Sequence, residues 1–203
     1  MQHSKLIALS GGSGSGKTVV AMLLKKHFGE DATVISQDSY YKDLSHLPDR
    51  ERASTNFDHP DSIDFELLLN NIQILKSGLS VEGPEYCFKT HTRKSTKINL
   101  LPKSIVILEG IYSFFDTEIK DLLDFTVYVE ADSDIRLIRR IRRDVVERGR
   151  DVDSVISQYE SNVRNMHLEY VSQQRQSADF IIENNGNVEL DEIVNTLVNE
   201  IKI

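Results

Sequence analysis

Only one cysteine, Cys87, occurs in 203 residues, so no intramolecular disulfide can form. No C-x-x-C or H-E-x-x-H spacing is present, which removes the usual thiol-redox and zinc-hydrolase readings. No apolar run approaches the roughly 18 residues that a membrane-crossing helix needs. An apolar strand pattern begins within the first residues, so we expect no signal segment, no membrane partner and a cytoplasmic location. Positive charge is in deficit, with 24 Lys and Arg against 32 Asp and Glu and a net charge of −8. Such a balance argues against binding nucleic acid by neutralising its phosphates. There is no internal repeat and no low-complexity tract. A composition of 39% hydrophobic and 28% charged residues fits one globular domain with a full core.

Against this background one segment stands out. Gly11-Gly12-Ser13-Gly14-Ser15-Gly16-Lys17-Thr18 follows the apolar run Leu6-Ile7-Ala8-Leu9, giving G-x-x-x-x-G-K-[ST] after a buried strand. Glycines here let backbone N–H groups close on phosphate oxygens without Cβ interference. The following helix turns the positive end of its dipole to the same anion. Lys17 has the reach for the β- and γ-phosphates, and the Thr18 hydroxyl suits Mg²⁺. A Gly/Ser linker would explain the glycines but not the Lys-Thr ending. The segment predicts a nucleoside triphosphate site.

Short β-branched runs alternate with helical patterns, the signature of a parallel α/β sheet. Strands are expected at Lys5–Ser10, Ala32–Ser36, Ser104–Glu109, Phe125–Glu130 and Asp179–Glu183. Helices are expected at Lys17–Phe28, Ile63–Lys76, Asp116–Leu123, Ser133–Glu147, Val152–Gln174 and Glu189–Ile201. The connection from the second strand to the third is unusually long for a compact domain and carries an extended segment from Val81 to Leu100. Ligands of open α/β sheets collect at the carboxyl ends of strands. That rule draws Asp38, after the second strand, and Glu109, ending the third, towards the phosphate loop, although aspartates also end strands simply to start turns.

Seven arginines lie between Arg136 and Arg150. At roughly 100° per residue, Arg136, Arg139, Arg140 and Arg143 fall within about 100° of arc, with Leu137, Ile138, Ile141 and Val145 opposite. This predicts a helix, N-capped by Asp132 and Ser133, that buries its apolar side and offers guanidiniums to a polyphosphate. Arg148 and Arg150 follow in the turn that ends it. A solvated basic face paired with Asp144 and Glu147 is the plainer alternative.

The long connection carries two clusters suited to a small acceptor: Asn56-Phe57-Asp58-His59-Pro60-Asp61 and Tyr86-Cys87-Phe88-Lys89-Thr90-His91-Thr92-Arg93. A carboxylate can accept hydrogen bonds from two vicinal ribose hydroxyls. Tyr86, Phe57 and Phe88 can stack on a planar base, and His91 can bond its edge. Taken singly, these residues have ordinary structural explanations as core aromatics and a surface histidine. Besides a nucleoside kinase, two readings stay open: a kinase of another small acceptor, such as a sugar phosphate or pantothenate, and a nucleotide-binding switch without an acceptor.

Taken together, the blocks resemble the uridine–cytidine kinase family from end to end. They are Gly11–Thr18, Gln37–Lys42, Asn56–Asp61, Pro84–Tyr86 with His91–Arg93, Val106–Ile111, Asp134–Arg140, Arg143-Asp144, Glu147–Arg150, Gln158-Tyr159 and Ala178-Asp179. The resemblance implies a single P-loop kinase domain over 1–203, with an acceptor-binding insertion at 39–102 and a lid with its following helix at 133–175. The implied fold is a three-layer α/β P-loop NTPase fold with a five-stranded parallel sheet, a β-hairpin in the insertion and an arginine-rich helical lid. The implied reaction moves the γ-phosphate of ATP or GTP to the 5′-hydroxyl of uridine or cytidine.

The same resemblance implies a role for each matching residue. Asp38 would be the general base, with Lys17, Arg143 and Arg148 on the phosphates. Thr18 and Glu109 would hold Mg²⁺, and Asp58 would bind the ribose. Phe57, Tyr86, Phe88 and His91 would face the pyrimidine, while Arg140, Arg150 and Gln158 would contact the substrate. A donor-base contact is expected near Asn187. Feedback by UTP and CTP and assembly as a homotetramer are further implications. The chain departs from the pattern at Asn165, where proline is usual, at Cys87, where a small polar residue is common, and at Glu183–Asn187, where a Pro-Arg-Gly-Gly turn is usual.

Overall fold

A computed structural model describes residues 4–186 and 189–201. The chain starts with strand β1 (Lys5–Ser10), the glycine-rich turn, helix α1 (Lys17–Phe28) and strand β2 (Ala32–Ser36). It then makes its long excursion through α2 (Asp49–Ser54), α3 (Phe65–Lys76) and an antiparallel hairpin of β3 (Val81–Cys87) and β4 (Thr92–Leu100). Strand β5 (Ile105–Glu109), α4 (Thr117–Lys120), β6 (Phe125–Glu130) and α5 (Ser133–Val146) follow. Helix α6 (Val152–Gln158) leads to α7 (Arg164–Met166), then to β7 (Phe180–Glu183) and α8 (Leu190–Glu200).

The five core strands form one parallel sheet in the order β2-β5-β1-β6-β7. Side chains alternate across a strand, so β1 feeds both cores. Leu6 and Ala8 pack with Tyr40, Ile72 and Tyr112 on one face. Ile7 and Leu9 pack with Val20 and Leu24 of α1 and Leu197 of α8 on the other. Burial on both faces explains why β5 reads as the unbroken apolar run Ile105-Val106-Ile107-Leu108. Helices cover both sides, giving the expected three layers.

The helix expected over Asp116–Leu123 is a single turn at Thr117–Lys120, and several other elements are shorter by a residue at one or both ends. Three further differences bear on the site. The helix expected from Ile63 starts at Phe65, because the Asp64 carboxylate accepts from Leu67 N–H and caps it there. The helix expected over Val152–Gln174 is interrupted by π-type turns at Tyr159–Val163 and His167–Val171, with Asn165 between them in α7. Asp132 sits at the N-cap of α5, but its side chain caps nothing; its N–H donates to Asn185 Oδ1 at 2.8 Å.

The excursion is tied to the sheet by polar bonds as well as by packing. Arg93 of the hairpin donates through Nη2 to Asp64 at 2.9 Å and through Nε to the Tyr41 carbonyl at 2.9 Å. Inside, Asn71 donates to the Tyr40 hydroxyl at 2.9 Å. These bonds hold the hairpin over the carboxyl ends of the central strands.

Candidate functional site

The phosphate loop takes its shape from two neighbours. Gly14 has φ 82° and Gly16 has φ 99°, the left-handed region that glycine tolerates without strain. A Cβ on Gly14 would sit 2.3 Å from the Arg136 carbonyl, and one on Gly16 would sit 2.4 Å from Asn184 Nδ2. The same Asn184 amide donates to the Ser15 carbonyl at 2.8 Å, and Ser15 N–H closes onto the Gly12 carbonyl at 3.0 Å. Gly11 packs against Val129 and Gly12 against the Arg136 side chain, so the loop is held from behind and leaves its open side to a ligand.

Lys17 is buried at the start of α1. Burial pushes its ammonium below the ordinary lysine value, against the opposite pull of Glu109 and Asp38. Glu109, 6% exposed, accepts from Thr18 Oγ1 at 2.9 Å and from Ser36 Oγ at 2.6 Å. A hydroxyl and a carboxylate in contact at the mouth of a phosphate loop are hard oxygen donors of the kind Mg²⁺ takes with phosphates and waters. No group of three or more His, Cys, Asp or Glu suited to a metal exists among the described residues, so no all-protein metal cage competes with this arrangement.

Beside the loop lies a cavity of about 390 Å³, reaching from Ser13 and Lys17 to the hairpin. Asp38 lines it, as do Asp58, Phe57, Tyr86, Phe88 and His91, all expected from the sequence. The insertion therefore brings its two clusters together beside the phosphate loop. Tyr41, Lys89, Ile111 and Ser154 also line the cavity and were not anticipated. The doubled Tyr40-Tyr41 after Asp38 was the signal for Tyr41: one tyrosine enters the core and the next faces Phe57 and Tyr86, with ring centroids at 5.4 and 5.2 Å.

Phe57 and His91 stack at 4.6 Å with planes 14° apart. His91 reaches this position with φ 54°, the single non-glycine residue with positive φ among those described. Burial lowers its pKa, and Arg150, Arg52 and Arg148 add to the effect, so the ring is neutral at pH 7. Asp58 is 8% exposed, with Arg140 Nη1 at 3.6 Å from its carboxylate. Its desolvation outweighs that partner and raises the carboxyl pKa. The Tyr112 hydroxyl donates to the Asp58 carbonyl and fixes the backbone beneath it.

The arginine helix is turned differently from expectation. Arg136, Arg140 and Asp144 are the buried residues of α5, whereas Ile138 of the expected apolar face is 46% exposed and Leu137, Ile141 and Val145 are half-buried. Nor do the four arginines of the predicted arc act alike. Arg136 lies behind the phosphate loop and donates to the Ala131 carbonyl at 3.0 Å, and Arg139 donates to the Asn184 carbonyl at 2.9 Å. Both support the loop from outside the cavity. Arg140 and Arg143 do line it, joined by Arg148 and Arg150 from the turn. Gln158 Oε1 accepts from Arg140 at 3.0 Å and from Arg150 at 2.5 Å. Arg143 Nη2 lies 3.4 Å from Ser13 Oγ, and the Arg148 guanidinium sits 4.6 Å over the Phe88 ring, joining the lid to the hairpin. Asn187 lies outside the described residues.

A cavity with phosphate-loop donors at one end, aromatic rings at the other and a carboxylate between suits transfer of a phosphoryl group to a small planar acceptor. Comparison with known proteins agrees. The model of the Phosphoribulokinase / Uridine kinase family matches residues 6–191. A uridine kinase of Brevibacillus brevis is 49% identical over 187 residues, covering 92% of this chain and 87% of that protein. Among solved structures, a putative fructose transport system kinase from Silicibacter sp. TM1040 superposes with a TM-score of 0.69 at 22% identity, covering 89% of this chain and 90% of that one. Phosphoribulokinase from Rhodobacter spheroides gives 0.67 at 15% identity, covering 94% and 73%. At those identities the two structures speak for the fold alone.

Proposed function

Because this chain belongs to the Phosphoribulokinase / Uridine kinase family, we propose that it is a uridine/cytidine kinase, moving the γ-phosphate of ATP or GTP to the 5′-hydroxyl of a pyrimidine ribonucleoside. The observation that carries the reading is the cavity itself. Asp38 lines it together with the buried Lys17 and the group of Tyr41, Phe57, Asp58, Tyr86, Phe88 and His91, and its charge is felt by Lys17, Tyr41, Asp58 and Tyr86 alike. A kinase for a sugar phosphate would have little use for the five rings of Tyr41, Phe57, Tyr86, Phe88 and His91 in its acceptor site. A switch protein would have no use for the acceptor site at all.

The lining of the cavity supports the roles that the resemblance implies. The loop amides of Gly11 to Thr18 and Lys17 hold the β- and γ-phosphates, with Arg143 and Arg148 facing them from the lid. Asp38 accepts the proton of the 5′-hydroxyl as its oxygen bonds to the γ-phosphorus and the bond to the β-phosphate oxygen breaks. Asp58 orients the ribose hydroxyls, with Arg140, Arg150 and Gln158 beside it. The neutral His91 presents a donor and an acceptor to the base edge, and its stack on Phe57 fixes the ring plane. Thr18 and Glu109 would hold Mg²⁺, which supplies charge neutralisation on the phosphates when bound. Catalysis of this kind is mostly positioning and electrostatics, and each residue named here contributes one of the two.

Assembly into a homotetramer is expected from the resemblance. Feedback by UTP and CTP would use the same pyrimidine and phosphate subsites. No described helix is long and apolar enough to cross a membrane. The deciding experiment supplies purified protein with Mg·ATP and a panel of nucleosides and follows 5′-monophosphate formation. UMP and CMP are the expected products. Absence of product from both uridine and cytidine overturns the proposal.

A further inference from the structure

Asp144 has no part in the roles above, yet it is fully buried at the centre of the lid. Four guanidiniums surround it. Oδ1 lies 2.8 Å from Arg143 Nη2 and 3.4 Å from Arg148 Nη1. Oδ2 lies 3.6 Å from Arg140 Nε and 3.7 Å from Arg150 Nη1. The two oxygens hold different pairs. The Oδ1 pair spans the site: Arg143 reaches Ser13 of the phosphate loop, and Arg148 lies over Phe88 of the hairpin. The Oδ2 pair borders the acceptor side, where Arg140 faces Asp58 and shares Gln158 with Arg150.

The division is unequal. Arg143 Nε also donates to Oδ1 at 2.9 Å, so this oxygen is firmly hydrogen-bonded. Oδ2 and Arg140 Nε are buried and have no hydrogen-bond partner among the described residues. Charge holds the acceptor-side arginines near the carboxylate, and a small movement would complete the bond. This looser pair is the part of the cluster with room to shift. We propose that Asp144 is a positioning residue that couples the two substrate sites, so that occupation of the donor side aligns Arg140 and Arg150 for the acceptor. The inference rests on the kinase reading above and adds a thermodynamic property to it.

Coupling of this sort is reciprocal: a donor analogue that tightens uridine binding must be tightened by uridine to the same degree. The test is calorimetric titration of uridine with and without the non-hydrolysable β,γ-imido analogue of Mg·ATP. For the unaltered protein we expect uridine Kd to fall by about 5-fold or more when the analogue is present, the low end of measured couplings. In D144N both ligands should still bind, with that ratio near 1, while D144E should restore part of it. Retention of the full ratio in D144N, or its absence from the unaltered protein, overturns the proposal. A merely structural aspartate would lower the melting temperature and leave the ratio unchanged.

Should D144N fail to fold, D144E keeps the charge and lengthens the side chain by one methylene, which displaces both oxygens from their arginines. It is expected to fold and to show a ratio below that of the unaltered protein. An unchanged ratio in D144E would then refute the role. Failure of the kinase reading is distinguishable, since the unaltered protein would then bind neither uridine nor cytidine, and the coupling proposal would fall with it.

Discussion

Replacing Glu109 by glutamine separates what this residue does for the fold from what it does for the reaction. The carboxylate accepts from two hydroxyls, Thr18 Oγ1 at 2.9 Å and Ser36 Oγ at 2.6 Å. A glutamine occupies nearly the same volume. Its carbonyl can keep one of these bonds, and its NH₂ can donate to the other hydroxyl, which is free to rotate and accept. The fold should therefore lose no more than about 1 kcal/mol, the net worth of one ordinary hydrogen bond. For a domain of this size that is a fall in melting temperature of about 2–4 °C.

The charge cannot be replaced in the same way. Losing one carboxylate beside the metal position should raise the half-saturating Mg²⁺ concentration by about 10–100-fold, as disturbed metal sites commonly do. Lys17 gives a second readout. Burial lowers its pKa and Glu109 opposes that shift. With Glu109 neutral, the depressed value falls further, so the ammonium is lost at lower pH and the alkaline limb of activity moves down. The assay is UMP formation against Mg²⁺ at fixed ATP across a pH series, with a melting curve for each variant. Unchanged Mg²⁺ half-saturation together with an unmoved alkaline limb would show that Glu109 serves the fold alone.

Three further outcomes are expected. Asp38→Asn should bind uridine and the ATP analogue with unchanged Kd and lose at least about 10²-fold in kcat, the usual size of general-base assistance; near-normal turnover would exclude Asp38 as the base. Phe88→Ala removes an acceptor-site ring that lies beneath Arg148; a cation–π contact at a partly exposed site is worth about 0.5–1 kcal/mol, so uridine KM should rise about 2–5-fold, whereas a rise confined to ATP KM would contradict the placement of Phe88. His91 has a lowered pKa, so the folded protein binds fewer protons there than the unfolded chain. Its contribution to stability is present above the ordinary histidine value and declines as pH falls below it. Protonation would also set a cation beside Arg150 and Arg148, so uridine KM should climb as pH falls below the ordinary histidine value, and a flat profile in the unaltered protein, matching that of His91→Gln, would refute the assignment.

The sheet was the most legible part of the chain. β1, β2 and β6 have the expected bounds because β-branched runs between turn residues leave little choice of register. Strand order was not needed to bring Asp38 and Glu109 to the loop, since parallel strands deliver their carboxyl ends to one edge. The acceptor residues were legible mainly through family resemblance, because a lone Tyr86 or His91 has many structural explanations. Tyr41 was missed because its neighbour Tyr40 is a core residue and periodicity treats the pair alike. The π-type turns after α6 were invisible, since nothing in Tyr159–Val163 breaks a helical pattern.

The orientation of α5 was misread for a more instructive reason. Helical periodicity divides residues into two faces, and the apolar face is assigned inward because burying charge is costly. Here the cost is offset locally, with Arg140, Arg143, Arg148 and Arg150 grouped around Asp144, and Asp58 paired to Arg140. Four cations against two carboxylates leave the cluster short of negative charge until phosphates arrive. The surplus is what a polyphosphate site requires, and it makes the lid's own stability depend on its ligand. Anything that binds only the folded state stabilises it, by about 2.7 kcal/mol at a hundredfold excess over Kd, and here the added anion also answers the repulsion among the arginines. The side turned away from the cluster carries Ile138, the one member of the expected apolar face that is exposed, with Leu137, Ile141 and Val145 half-buried beside it.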